Sequence, residues 1–172
     1  QALQNRLILG GGSNILFLNN FNGIVIHPIL KGIRKTEEND QYACYNVGAG
    51  EEWDAFVQFA IRNNLYGIEN LSFIPGMAGA TPIQNIGAYG VEIKDYIVKV
   101  NGIDLVKKEY HTYTNAQCNF SYRNSVFKQA LRDHFIITSV TYKLLKHKTF
   151  NLTYHDLKER LSRKKDITLQ TV

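Results

Sequence analysis

The stretch IPGMAGATPIQNIGAYG, residues Ile74 to Gly90, decides the fold of this chain. It combines glycines with two of the chain's three prolines and has no charged side chain, which predicts a long, structured loop with little room for bulky groups. Its hydroxyl and amide side chains can hydrogen-bond a ligand, and Ile83 and Ile86 can pack on a flat apolar one. The loop is therefore a candidate binding site.

A second glycine-rich segment, LILGGGSNILF, lies at Leu7 to Phe17. Residues 10–12 have no β-carbon, so successive backbone N–H groups can turn inward as an anion-binding concavity, to which Ser13 and Asn14 add donors. No Gly-Lys-Ser/Thr follows, and the pattern G-x-G-x-x-G is not met, so neither the P-loop nor the dinucleotide fingerprint applies. Taken alone, the segment favours a tight turn slightly over a phosphate cradle. Two such loops together indicate a large, phosphate-bearing, partly planar ligand.

The composition is typical of one globular domain of 172 residues, with 44% hydrophobic and 20% charged residues. No apolar run approaches the roughly 18 residues of a membrane span, and no signal peptide begins at Gln1. Cys44 and Cys118 have no metal-ligand spacing, which favours free buried thiols, a reducing compartment and hence a cytoplasmic location. The five histidines show no metal-ligand spacing either, so no metal site is expected.

The net charge of +5 favours anionic partners. The densest basic cluster, RLSRKK at Arg160 to Lys165, alternates with Leu157 and Leu161 and is typical of the solvated face of a helix. No nucleic-acid-binding motif accompanies it. We therefore expect neither nucleic acid nor a membrane as partner.

The first half of the chain predicts strands and one helix. Short strands are predicted at Arg6–Leu9, Gly23–Pro28 and Tyr42–Gly50. After Glu52, apolar residues recur at helical spacing until Asn63 and predict one amphipathic helix with Trp53 in the core.

The second half predicts further antiparallel strands. Two β-rich runs flank Asn101-Gly102, which is a hairpin signal, and HFIITSVTYKLL alternates apolar residues from Ile136 through Leu144. The predicted class is α+β.

The end of the chain predicts a helix with a capping signal at Thr153 and Asp156, and the start of another at Thr168. Because the last element stops after five residues, we expect further sequence after Val172, and also before Gln1. We divide the chain into residues 1–20, 21–150 and 151–172.

Three motifs in this order and spacing, LGGGSNILF, IPGMAGATPIQNIGAYG and CNFSYRNSVFK, resemble those of the UDP-N-acetylenolpyruvoylglucosamine reductases. These are flavin enzymes of bacterial cell-wall precursor synthesis. The resemblance runs through nearly the whole chain, and the middle motif is highly specific. The later LTYHDL, with Tyr154, resembles the subclass that carries an extra tyrosine-bearing substrate loop.

The resemblance implies an FAD-binding domain of the vanillyl-alcohol-oxidase type and two hydride transfers, from NADPH to the flavin and from the flavin to the enolpyruvyl double bond of a UDP-sugar. We also expect a monomer. The expected FAD contacts are Gly10, Gly11, Gly12, Ser13, Asn14, Ile74, Pro75, Gly76, Ala80, Thr81, Ile83, Asn85, Gly87 and Tyr89.

The resemblance assigns the catalytic role to Arg123 in FSYRNSVF. A guanidinium there holds the substrate carboxylate and stabilises the enolate-like intermediate more than the ground state. Tyr122 and Tyr154 are expected substrate contacts, and Tyr89 either neighbours the flavin or packs the loop.

Two departures from the family pattern limit this expectation. Ala80 stands where the family often has serine or glycine, which removes one hydroxyl contact. The family's GSFFKNP-like segment, whose serine donates the proton, and its distal glutamate are missing from the sequence. Ser125 does not match that serine, so no general acid is assigned. We expect this chain to bind FAD weakly at best and not to complete the reduction.

Two alternatives remain. One is another FAD-dependent oxidoreductase on the same fold, although such enzymes usually tether the flavin through a histidine or cysteine near the first glycine loop, and Gly10–Asn14 contains neither. The other is a non-catalytic module that binds an anionic ligand.

Overall fold

A five-stranded antiparallel sheet forms the centre of the computed structural model, which describes residues 5–162, 164 and 166–172. In spatial order the strands are β3 (Ile33–Glu38), β4 (Tyr42–Gly48), β9 (Phe135–Leu145), β7 (Ile97–Asp104) and β8 (Glu109–Thr114). The α+β class and the strands at β4 and β9 are confirmed. Strand β3 is not predicted, because its run IRKTEE is almost entirely polar and exposed; pairing with β4 defines it.

Helix α1 (Trp53–Arg62) packs against this sheet and confirms the predicted amphipathic helix. Trp53 is 1% exposed, and its indole N–H donates to the backbone oxygen of Leu71 at 2.8 Å. The rings of Trp53 and Phe56 lie 5.7 and 5.1 Å from the ring of Tyr142 on β9. This aromatic contact joins the helix to the sheet.

Two small sheets flank the main one. Strands β1 (Arg6–Ile8) and β2 (Ile24–Ile26) form a parallel pair, which confirms both predicted strands at reduced length. Strands β5 (Gly87–Ala88) and β6 (Val91–Glu92) form a short antiparallel pair at the end of the glycine-rich loop. The division at residues 20 and 150 stays a prediction.

The predicted turn at Asn101-Gly102 is wrong in position. Both residues lie inside β7, and the hairpin to β8 turns after Asp104 instead. A β-carbon on Gly102 would lie 2.3 Å from the backbone oxygen of Ile136, so the glycine permits a close approach of β9 rather than a turn. The carboxylate of Asp104 accepts the N–H groups of Val106 and Lys107 and so stabilises the true turn.

A bulge at the same place changes the predicted alternation of β9. Asn101 pairs with Ser139, but Gly102 pairs with Ile137, so Thr138 is an extra residue. Phe135 and Ile137 are buried before the bulge, and Val140, Tyr142 and Leu144 after it. The predicted pattern of buried even-numbered residues therefore holds only from Val140 onward.

The C-terminal part contains helix α2 (His155–Ser162), which confirms the predicted helix but not its cap. The hydroxyl of Thr153 donates to Asn151 Oδ1 instead of capping the helix. At the second predicted start the chain forms a 3₁₀ turn, Leu169–Thr171, with Thr168 in a capping box. In the basic cluster, Leu161 is buried and Arg160 exposed, as a solvated helix face requires; residues 163 and 165 lie outside the described residues.

Both cysteines are free and buried, as predicted. Burial raises the pKa of Cys118 to about 12 and also raises that of Cys44. The folded state therefore holds the thiol proton more tightly than the unfolded chain. The stability that this contributes is complete below the ordinary thiol pKa near 9.0 and falls as pH rises toward the folded value.

We expect a thiol-disulfide reagent at pH 8 to label Cys118 at least about 100-fold more slowly in the folded protein than in denaturant, because the thiolate is scarce and the sulfur is inaccessible. The variant Cys44→Ala isolates the Cys118 signal in a colorimetric assay. Labelling of the folded protein at the denatured rate would contradict the buried placement.

Candidate functional site

An open cavity of about 550 Å³ contains most of the predicted site residues in its lining. It lies between residues 10–14, here called the glycine segment, and residues 74–90, here called the long loop. The predicted residues that line it are Gly10, Gly11, Gly12, Ser13, Asn14, Ile74, Pro75, Gly76, Ala80, Thr81, Ile83, Gly87 and Arg123. The structure thus brings the two glycine-rich stretches and Arg123 to one place.

The glycine segment presents unpaired backbone donors. None of the N–H groups of residues 10–14 donates to another described residue, and residues 11–14 are exposed. Gly12 has φ +70°, a left-handed conformation that turns the backbone and that other residues rarely adopt. A run of free N–H groups in such a turn can bind an anion such as a phosphate.

The glycine segment and the long loop touch at backbone level. A β-carbon on Gly11 would lie 3.4 Å from the Cα atom of Gly76, and Ser13 Oγ donates to the backbone oxygen of Pro75 at 3.2 Å. Because 3.4 Å is an ordinary van der Waals distance, this approach would still accommodate a β-carbon on Gly11, and the Ser13 hydroxyl is already used in the contact between the two segments.

Three hydrogen bonds join the long loop to residues 121–125. Ser125 Oγ donates to Ile83 O at 2.6 Å, Asn85 Nδ2 donates to Ser121 O at 3.1 Å, and Arg123 Nη2 donates to Gly87 O at 2.6 Å. We call these three bonds the loop clamp. Asn85 is fully buried and does not line the cavity, so in this structure it shapes the loop.

A buried pair of hydroxyl groups supports the loop from below. Thr81 Oγ lies 2.8 Å from the hydroxyl of Tyr142, and both hydroxyls lie within hydrogen-bond distance of the backbone oxygen of Ala78. Burial raises the pKa of Tyr142, so this phenol stays neutral. Thr81 lines the cavity, and its hydroxyl proton is bound either to Ala78 O or to the Tyr142 oxygen.

Arg123 is the only charged residue among the described residues that line the cavity. It is exposed, has φ +53°, and its backbone oxygen accepts a hydrogen bond from Lys128 Nζ at 3.0 Å. One guanidinium nitrogen, Nη2, donates to Gly87 O as part of the loop clamp. The remaining N–H groups are available for an anionic ligand at this side of the cavity.

The three predicted tyrosines do not line the cavity. Tyr122 is 82% exposed, with its ring 5.9 Å from the Arg123 Cζ atom. The rings of Tyr89 and Tyr154 meet edge to face at 5.3 Å, just beyond the end of the long loop. The structure therefore brings Tyr89 to Tyr154 rather than to the cavity wall.

Several lining residues are absent from the predicted contacts, including Met77, Ala88 and Trp53. Met77 and Ala88 lie within the long loop, so the motif itself was the available signal. Trp53 is almost completely buried, and its helical spacing indicates only a core position. Among the residues described, no three His, Cys, Asp or Glu side chains gather as a metal site, and no helix is long and apolar enough to cross a membrane.

A family model described as FAD binding domain matches residues 3–107. The chain belongs to this FAD-binding family. The match includes the glycine segment and the long loop, and it confirms the predicted fold class, an α+β FAD-binding domain.

Similar proteins support the resemblance predicted from the motifs. UDP-N-acetylenolpyruvoylglucosamine reductase of Flavobacterium johnsoniae is 49% identical over 93% of this chain and 48% of its own length. The protein of the same name from Bacteroides fragilis is 40% identical over 96% of this chain and 50% of its own length. The chain therefore spans about half the length of these relatives.

One solved structure is also similar. The crystal structure of UDP-N-acetylenolpyruvylglucosamine reductase from Thermus caldophilus has a TM-score of 0.65 and 25% sequence identity. The similarity covers 94% of this chain and 56% of that one. The resemblance to this group of FAD-binding proteins is confirmed.

The loop clamp predicts a structural role for Ser125. We expect Ser125→Ala to lower the free energy of unfolding by about 1–3 kcal/mol, because Ile83 O and the N–H of Phe127 both lose their partner in a buried place. Denaturant titration measures the change. Ser121→Ala is the matched control, because that exposed hydroxyl has no partner among the described residues; equal loss in both variants would contradict the clamp.

Proposed function

We propose that this chain is the FAD-binding part of an NADPH-dependent UDP-N-acetylenolpyruvoylglucosamine reductase. The family and its relatives support this, and the observation that carries it is the cavity with free backbone donors on one side and a single cation on the other. This combination fits a ligand that carries both a phosphate and an apolar ring system.

The donors present fit FAD. The pyrophosphate would be held by the backbone N–H groups of the glycine segment, which have no competing partner among the described residues. The flat ring system would lie on the apolar side chains of Ile74 and Ile83, with Ala80 leaving space where a larger residue would intrude. When bound, FAD supplies the capacity to accept a hydride from one partner and pass it to another.

Arg123 is the proposed catalytic residue. Its free N–H groups would hold the substrate carboxylate at the cavity mouth while Gly87 O keeps the side chain oriented. Addition of a hydride to the conjugated double bond pushes charge into that carboxylate, so the fixed cation stabilises the transition state more than the ground state. No residue of this chain is proposed as the proton donor, because Ser125 Oγ is already bound to Ile83 O.

The other partners follow from this proposal. NADPH is the proposed reductant, and a UDP-sugar the proposed substrate, with contacts from Tyr122 and Tyr154, both of which are exposed. Tyr89 would act through Tyr154, whose ring it contacts. A cytoplasmic location and a monomeric state are proposed with the function.

A second oxidoreductase with a covalently tethered flavin is the main alternative. No histidine or cysteine occurs among the described residues that line the cavity, which favours a non-covalent flavin. Flavin that stays with the protein after acid or denaturant precipitation would favour this alternative. If the chain belongs to a non-catalytic anion-binding module, NADPH will not reduce the bound FAD, even in the full-length protein.

The glycine segment is tested by Gly12→Ala. Its left-handed φ is strained for alanine, so the turn should open and the FAD dissociation constant should rise about tenfold. Gly32→Ala is the matched control: Gly32 also has a positive φ and free space around it, but it does not line the cavity. Quenching of flavin fluorescence measures both affinities, and equal effects would contradict the proposed pyrophosphate cradle.

Arg123 is tested in the full-length protein by anaerobic absorption spectroscopy. NADPH should bleach the flavin band, and the enolpyruvyl sugar nucleotide should restore it. We expect Arg123→Ala to slow the second step about 100-fold or more and to leave the first within about twofold, because only the second step builds charge on the carboxylate. Arg123→Lys should recover part of the loss.

The absence of any flavin band, even with added FAD, would overturn the proposed function. Equal slowing of both steps by Arg123→Ala would overturn the assigned role while leaving the reaction in place.

A further inference from the structure

Asn70 joins the long loop to the segment that carries Tyr154. It lies in the 3₁₀ turn Glu69–Leu71 and is 4% exposed. Its Nδ2 atom donates to Tyr89 O at 3.0 Å and to Asn151 O at 2.9 Å. Asn151 Nδ2 donates in turn to Gly90 O at 2.8 Å. Three hydrogen bonds thus hold residue 151 against the end of the loop.

The orientation of the Asn70 amide is decided by its two donors. Its Oδ1 atom is buried and has no partner among the described residues. The flipped amide would place that oxygen against two carbonyl oxygens and leave both without a donor. Each N–H of Asn70 Nδ2 donates to one carbonyl oxygen, and these two bonds offset the cost of the unpaired Oδ1 atom. A carboxylate or an apolar side chain at this position could not donate to either carbonyl.

The two segments that Asn70 joins both lead to proposed site residues. Tyr89 directly follows Ala88, the last residue of the long loop that lines the cavity, and it has a strained φ of +47°. On the other side, Asn151 Oδ1 accepts the N–H and the hydroxyl of Thr153, directly before Tyr154. The tyrosine rings then meet edge to face. Asn70 is the buried residue whose side chain connects these two segments.

We propose that Asn70 is a positioning residue that couples the state of the flavin loop to the placement of Tyr154. The proposal rests on the proposed function, because it takes the long loop as the flavin wall and Tyr154 as a substrate contact. Ordering of the loop by FAD fixes the carbonyl groups of Tyr89 and Gly90. Through Asn70 and Asn151 it thereby also fixes the start of helix α2, without FAD touching that helix.

The test is hydrogen exchange of the full-length protein with and without FAD in Asn70→Leu, which keeps the size of the side chain but removes both donors. Asn115→Leu is the matched control, because Asn115 Nδ2 likewise donates to two backbone oxygens, those of Lys94 and Ile97, which belong neither to the long loop nor to residues 151–162. Asn151→Asp, which keeps the oxygen that accepts from Thr153 and removes the donor to Gly90 O, serves if Asn70→Leu does not fold.

Without ligand, we expect Asn70→Leu to exchange about tenfold faster over residues 151–162, and Asn115→Leu to leave that region unchanged. FAD should slow exchange there in the wild-type chain and in Asn115→Leu but not in Asn70→Leu, while its dissociation constant stays within about threefold. A general loss of stability would speed exchange in both Asn70→Leu and Asn115→Leu, and would not be confined to residues 151–162 of one variant.

Protection by FAD that persists in Asn70→Leu, or that disappears equally in Asn115→Leu, overturns the coupling. Failure of FAD to bind the wild-type full-length protein overturns the proposed function and, with it, the coupling to flavin. The ligand-free exchange is judged separately: unchanged exchange over residues 151–162 in Asn70→Leu overturns Asn70 as the anchor of that segment.

Discussion

The loop clamp is the contact on which the site depends. A loop of seventeen residues with little regular structure has many conformations, and ordering it costs conformational entropy at every residue. The three bonds at Ile83, Asn85 and Gly87 offset that cost at three points close together. Because two of them use backbone oxygens of the loop, they fix its path and leave its apolar side chains free to face the cavity.

The cavity combines two chemically different walls. The glycine segment offers backbone donors and few side chains, whereas the long loop offers mainly apolar side chains supported by the Thr81–Tyr142 pair. Arg123 adds the only charge among the described lining residues, and its bond to Gly87 O ties that charge to the loop clamp. The position of the cation therefore depends on the same contact that shapes the apolar wall.

The sequence pattern predicted the elements whose buried residues recur with the regular spacing of a single helix or strand. Helix α1 has its apolar residues at helical spacing, and both glycine-rich stretches were visible because glycine limits what a loop can be. The strand β3 could not be predicted, because its order comes from pairing with β4 and not from its own polar sequence. Gly102 was misinterpreted because close strand packing and a turn both require glycine.

Residue roles within the site were harder to predict than its location. Asn85 was expected to contact a cofactor, but its partners are Ser121 O, 36 residues away, and the N–H of Lys94. Nothing in the sequence distinguishes an asparagine that faces a ligand from one that joins two loops. Asn70 was missed for the same reason, since its carbonyl partners at Tyr89 and Asn151 are set by the fold.

The close approach of Gly11 to Gly76 connects a small sheet of low stability to the larger and more stable main sheet. Strands β1 and β2 have three residues each, and an isolated pair of that size is marginal in water, whereas the main sheet has five strands and a helix packed on it. A ligand that contacts both walls of the cavity stabilises the β1–β2 pair, because the ligand binds only when the pair is folded. Occupancy of the cavity therefore links the opening of the β1–β2 pair to the unfolding of the main sheet.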